Sequence, residues 1–416
     1  MMDFQTLTQD TALQLIGRLK QGRNVIFGAD LFSVGRETLI RGAHQVYDDL
    51  EHTGDSVVRF IRGDYGVGKT NFAARIFHSA LRRGWIGVYV ELSEQVRLNE
   101  FHEVFSEIVK NMYAPEQLGP QELNGLQPLG LMGVLDLHYT RLRRAVGLGP
   151  GSDIPASVRT DMTARIGTIL EKHRVYGDFA SAVRTYFDAR IDNDVATIAL
   201  LNRWFLADPD IKLPSRGILR PISKINGKEY LRSLSCLLVG MNHKGMLIVM
   251  DELESIMEES KGRRRKAYTI LRELMDNVDG ENGMKNTCFY VAAPPGQFES
   301  QKGFIEVEPL ASRIQSPIVI AQGEIDSTAT VIDLDRSPLT LKEQVQLGKK
   351  LRDIHGIARS WDAHQYFSDA ILSDLVKEIE KRRPYANLRI REFCIEIIGA
   401  LDRRYGNVSA VSGTRG

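Results

Sequence analysis

No apolar run in this chain of 416 residues approaches the ~20 residues needed to span a bilayer, so no membrane helix is expected. Cysteine is scarce. Cys236, Cys288 and Cys394 are far apart and odd in number, which argues against a disulfide framework or a zinc site. Buried thiols in a reducing cytoplasm are the expectation. A charge excess of either sign is missing too. The 54 Lys and Arg nearly cancel the 53 Asp and Glu, leaving +1, so any nucleic-acid surface has to be local. There are no repeats and no low-complexity tract, and no basic N-terminal segment leads into an apolar run as a signal peptide would. What is present is 43% hydrophobic and 26% charged, which suits a packed soluble interior. The length suits two or three lobes.

The periodicity reads as an α/β fold. A weak helical pattern covers 6–20, and a second helix begins after Gly35. "VVRFIR" (57–62) reads as a strand. "NFAARIFHSALRRG" reads as a helix closed by Gly84, and "WIGVYVEL" as the next strand. Strand, glycine-rich turn, helix and strand open a parallel α/β unit. A helical pattern follows at 99–112. From about 113 to 226 the alternation fails, and a mostly helical insertion is expected there, the best guess for a partner-specific surface. Alternation resumes with "KEYLRSLSCLLVGMNHK" (helix), "MLIVM" (strand), "RRKAYTILRELMDNV" (helix), "TCFYVAA" (strand) and "TVIDLD" (strand). From Leu339 the pattern is helical. The expected division is 1–55 as an N-terminal helical segment, 56–335 as the core with its insertion, and 336–416 as a helical lid.

The chemistry concentrates in "RGDYGVGKT". Gly63-x-x-x-x-Gly68-Lys69-Thr70 has P-loop spacing, in which glycines let backbone N–H groups converge on phosphate oxygens. The loop Gly63-Asp64-Tyr65-Gly66-Val67-Gly68, with Lys69, Thr70 and Asn71, is expected to bind ATP. Lys69 reaches the β- and γ-phosphates, and the Thr70 hydroxyl ligates Mg²⁺. "LIVMDELE" (247–254) supplies the second half. Four apolar residues make a buried strand, Asp251 holds the Mg²⁺ through water, and Glu252 polarises the attacking water.

The next strand ends at Ala293-Pro294-Pro295, with no polar group at its tip; Asn286 before it and Gln297 after it are the nearest candidates to sense the γ-phosphate. Arg313, in "EPLASRIQ", either reaches a neighbouring subunit's γ-phosphate or makes a surface ion pair. Arg391 opens an amphipathic helix and either folds over the phosphates or lies on a solvated face. The runs Lys261–Lys266 and Lys381-Arg382-Arg383 read as DNA-phosphate contacts or as solvated loop and surface. "RLRR" (141–144) reads as one helix face rather than as a binding stripe.

The order of "FSVGRE", "RGDYGVGKT", "KGMLIVMDELESI", "KAYTILRELMDNVDG", "PLASRI" and "IREFCIEIIGALD" resembles the ATP-binding proteins of BREX-type phage-defence islands, the BrxD-like group. More distantly it is similar to the Orc/Cdc6-like branch of AAA+ ATPases. The resemblance implies an AAA+ (ASCE) P-loop core with a helical lid. It implies that Gly35 and Arg36, within "VGRE", lie near the adenine, and that Arg391 matches a lid arginine. It also implies a role in prokaryotic defence beside a helicase or modification protein. A homo-oligomer is expected as well, and double-stranded DNA is expected from the resemblance together with the local basic runs. The family usually has Gly-Thr-Pro where this chain has Ala293-Pro294-Pro295. A complete winged-helix domain after the lid is not expected.

Overall fold

A computed structural model describes residues 7–118, 126–149, 152–276, 283–314, 329–382 and 389–413, the last five of them as backbone alone. Six strands form one sheet: β1 (Ser56–Arg62), β2 (Ile86–Glu91), β3 (Met112–Tyr113), β4 (Met246–Asp251), β5 (Thr287–Ala293) and β6 (Val331–Asp333). Their order is β3-β2-β4-β5-β1-β6. Every pairing is parallel except β2 with β3. β4 and β5 are buried along their whole length, as expected of near-continuous apolar strands covered on both faces.

The register sets the site. Glu91 pairs with Asp251, and Arg62 with Ala293, so the carboxyl ends of β2, β4, β5 and β1 form one edge. Ligands of open α/β sheets bind at that edge. β5 lies between the strand that feeds the P-loop and the strand that carries Asp251.

Alternate side chains point to opposite faces. Ile61, Tyr89, Val249 and Tyr290 face the helices Glu37–Thr53 and Lys69–Arg82. Phe60, Val88, Ile248 and Phe289 face the other layer, built from Phe101–Lys110, Gly227–Gly240, Lys261–Asp276 and the inserted helices. The insertion contains Gly130–Ala145, Ala156–Lys172, Gly177–Asp192 and Val195–Phe205. Its Val134, Ile166, Tyr186 and Trp204 belong to the same hydrophobic cluster as the sheet. The insertion is therefore continuous with the core.

A third cluster joins the ends of the chain. Leu15, Ile16 and Leu19 of the helix Gln9–Lys20 pack with Leu351, Ile354 and Ile397 of the C-terminal helices. Lys20 binds Asp402 at 2.7 Å across this junction. No helix among the described residues is long and apolar enough to cross a membrane.

Two local expectations change. The helix expected over 99–112 stops at Lys110, and Met112 and Tyr113 pair with Val88 and Gly87 at the sheet edge. The basic run Lys261–Lys266 is not a loop before a helix but its first turns. Arg264 turns inward there, bonded to Glu306 and to the Glu259 carbonyl, while its basic neighbours stay exposed. Arg383 lies outside the described residues.

Candidate nucleotide-binding site

The phosphate loop leaves β1 with the Gly63 N–H donating to the Ala293 carbonyl at 3.3 Å, which ties its start to β5. Gly66 (φ 82°) and Gly68 (φ 95°) adopt left-handed conformations that favour glycine. Gly63 is needed for space, because a Cβ there would lie 2.5 Å from Val67 Cγ1. The helix Lys69–Arg82 starts without a side-chain cap, so its first N–H groups and its dipole are available to an anion.

Lys69 Nζ donates to the carbonyls of Gly63 (2.9 Å) and Asp64 (3.3 Å) and lies 5.2 Å from the Tyr65 ring centre. Burial pulls its pKa down, opposed by Glu254, Asp251 and Glu252. These carbonyls are weak partners for an ammonium that a phosphate would hold better. On the other side of the loop, the Asp64 N–H donates to the Asp335 carboxylate at 3.1 Å.

Thr70 and Asp251 meet at the sheet edge. The Thr70 hydroxyl donates to Asp251 Oδ2 at 3.0 Å, and the Tyr89 hydroxyl donates to the same oxygen at 2.5 Å. The Glu252 N–H donates to Asp251 Oδ1 at 3.0 Å. Glu252 itself sits at φ 60°, a left-handed conformation costly for a non-glycine residue and frequent at functional sites. Its carboxyl group opens to solvent. Crowding by surrounding protein, then Glu254, Asp251 and Glu91, push its pKa up. Glu91 is pushed up as well, by burial and by Asp251.

This donor set fits a hydrated Mg²⁺. A hydroxyl and a carboxylate lie side by side in a carboxylate-rich setting that a cation would relieve. Among the described residues no cluster of three His, Cys, Asp or Glu could hold a metal ion.

The loop and the acidic edge form one wall of a cleft of about 320 Å³; the N-terminal segment and the C-terminal lobe form the other. Arg391 enters it from the lobe. Its backbone N–H donates to the Gly66 carbonyl at 3.1 Å, and its guanidinium reaches Asn24 Oδ1 at 3.2 Å. Val25, Phe32, Ile390 and Cys394 supply an apolar side, suited to a flat base. Asn71 also lines the cleft and accepts from the Ser33 hydroxyl at 2.9 Å.

Other residues singled out in the sequence lie elsewhere. Arg36 sits behind the loop and donates to the Val67 carbonyl at 3.0 Å; burial lowers its pKa to about 10. Gly35 packs against Glu343, and its carbonyl accepts from Arg75 at 2.6 Å. Neither lines the cleft. Arg313 pairs with Asp276 at 2.5 Å, partly exposed and away from the cleft. Asn286 is at the opposite end of β5 from the P-loop, donating to the Lys244 carbonyl. Gln297 is fully buried and donates to the Tyr268 hydroxyl at 2.8 Å. Neither faces the site.

Tyr89 and Asn24 went unnoticed in the sequence. The signal for Tyr89 was available only in part: "GVYVEL" puts it two residues before Glu91, on the same face of the strand.

A phosphate loop, a parallel acidic strand and an anion-ready helix N-terminus on one sheet edge define an α/β P-loop nucleotide-binding protein. Asp251 and Thr70 complete the part of that site that would meet a nucleotide's metal. The chain belongs to the BREX system ATP-binding protein BrxC/D family, which matches residues 7–411. Comparison with curated proteins and with solved structures returned no match.

Proposed function

We propose that the chain is a Mg²⁺-dependent ATPase of the AAA+ type, and that it couples ATP binding and hydrolysis to assembly or remodelling on DNA within an antiphage defence system. The observation that carries this reading is the bond from Thr70 to Asp251, with Lys69 on the same loop and Glu252 next in the chain. Lys69 exchanges its two carbonyl partners for phosphate oxygens. Glu252 orients the attacking water and takes its proton. Mg²⁺ bound by Thr70 and Asp251 supplies charge neutralisation at the phosphates. Arg391 adds positive charge from the lobe, and Arg313 reaches toward a neighbouring copy. The lobe, 336–416, acts as the lid on the core.

Double-stranded DNA and a helicase or modification protein are the proposed partners; the exposed Lys261, Arg263, Arg265 and Lys266 support the DNA, and membership of a BREX system family supports a partner within that system. DNA binding that does not weaken with salt speaks against phosphate contacts.

The test is phosphate release by the wild type beside Glu252→Gln, with and without duplex DNA. Turnover by the wild type alone, raised by DNA, is the expected result. A second reading, a nucleotide-locked scaffold, is favoured by one observation: β5 ends in Ala293-Pro294-Pro295, and Gln297 is spent on Tyr268. ATP binding by both proteins with turnover by neither would select it.

A further inference from the structure

We infer that Tyr89 is a positioning residue for Mg²⁺–nucleotide binding: its hydroxyl holds the Asp251 carboxylate in the orientation that the metal requires. The inference rests on the Mg²⁺–nucleotide site proposed above and not on hydrolysis.

Tyr89 lies on β2, neighbouring β4, with its ring in the core against the helix Lys69–Arg82 and 8% of its surface exposed. Only the hydroxyl reaches the site. It donates to the Asp251 oxygen that also accepts from Thr70, at 2.5 Å against 3.0 Å. The other Asp251 oxygen accepts the Glu252 N–H. The carboxylate is thus held from three directions by three elements: β2, the P-loop helix and the turn after β4.

These holds are not equivalent. A Thr70 oxygen that ligates a metal has to turn toward it, which changes its bond to Asp251. The Glu252 N–H belongs to a turn whose next side chain works in the cleft. Tyr89 alone is anchored by core packing and has no other task in the site. A buried phenol needs a partner, so packing alone could explain some bond. It does not select a carboxylate already bonded to the P-loop threonine. Groups that orient a metal-binding carboxylate typically matter by about 10- to 100-fold in metal affinity.

The experiment is a titration of a fluorescent ATP analogue against wild type and Tyr89→Phe, in EDTA and across a Mg²⁺ series. Tyr89→Phe is expected to match the wild type in EDTA and to need about 10- to 100-fold more Mg²⁺ for the same tightening. The phenylalanine ring fills the same core space as the tyrosine ring, and matched thermal melts of the two proteins in EDTA show that the variant is folded. An unchanged Mg²⁺ requirement in Tyr89→Phe overturns the inference. So does equal weakening in EDTA and Mg²⁺, which marks a packing defect, or a wild type on which Mg²⁺ has no effect. A wild type that binds Mg²⁺–nucleotide but releases no phosphate counts against hydrolysis and leaves the Tyr89 result standing.

Discussion

The backbone N–H of Arg391 donates to the carbonyl of Gly66 at 3.1 Å, so the last helix of the C-terminal lobe is bonded to the phosphate loop itself. A nucleotide that reshapes the loop would act on the lobe through this bond. Because the bond is made by main chain, it survives replacement of the side chain. Arg391→Ala therefore isolates the guanidinium. Turnover is expected to fall about 100-fold, the usual scale for losing one charge-stabilising donor, with ATP affinity changed far less. Steady-state kinetics beside a binding titration make the comparison. Unchanged turnover would leave Arg391 as a rim residue that only contacts Asn24.

Arg313 pairs with Asp276 at a site about 39% and 38% exposed, so the ion pair contributes under about 1 kcal/mol. Arg313→Ala should leave the melting temperature and ATP binding nearly unchanged. If Arg313 serves a neighbouring copy, mixing the variant with Glu252→Gln restores turnover that neither has alone. No restoration in the mixture confines Arg313 to its ion pair.

Buried histidines set an acid limit on stability. Neither ring nitrogen of His138 has a hydrogen-bond partner, and burial holds its pKa down to about 4. His243 is held to about 3 by burial, Arg141 and His138. An unfolded histidine titrates near ~6.5. Above that both states are neutral. Below it the unfolded chain binds protons that the folded chain refuses, so stability falls as pH drops from about 6.5 toward about 4. The His138 share is about 2 kcal/mol between pH 7 and pH 5. Denaturant midpoints at the two values should differ less in His138→Phe than in the wild type; equal differences would remove His138 as the cause.

Trp204, in the inserted helices, is fully buried and donates its indole N–H to the Arg220 carbonyl at 2.9 Å. Its cluster includes sheet residues. Trp204→Ala should cost about 3–5 kcal/mol and lower the melting temperature of the nucleotide site along with the insertion. A nucleotide site that melts unchanged while the insertion unfolds earlier would show two separate cores.

Much of the site was legible because its chemistry is local. The Gly63–Thr70 spacing and the apolar run before Asp251 each lie within one short segment, where loop geometry and strand burial dictate the residue types. The helical reading of 99–112 overran because Met112 and Tyr113 are apolar in either state. Only the free edge of β2 makes them a strand. Gln297 reads as a polar residue near the sensor tip, yet the short helix after β5 turns it into the core toward Tyr268.

By itself the sequence determined the phosphate loop, the acidic strand and the α/β class, since these follow from periodicity and from contacts between near neighbours. The tertiary structure decided that β5 separates the two halves of the site, that Tyr89 grips Asp251, and that the helix Gln9–Lys20 shares a core with the C-terminal lobe. The physical reason is common to all three. Strand order, a bond between residues 162 positions apart and packing of the two chain ends are non-local, chosen by how buried faces fit together and not by any pattern along the chain.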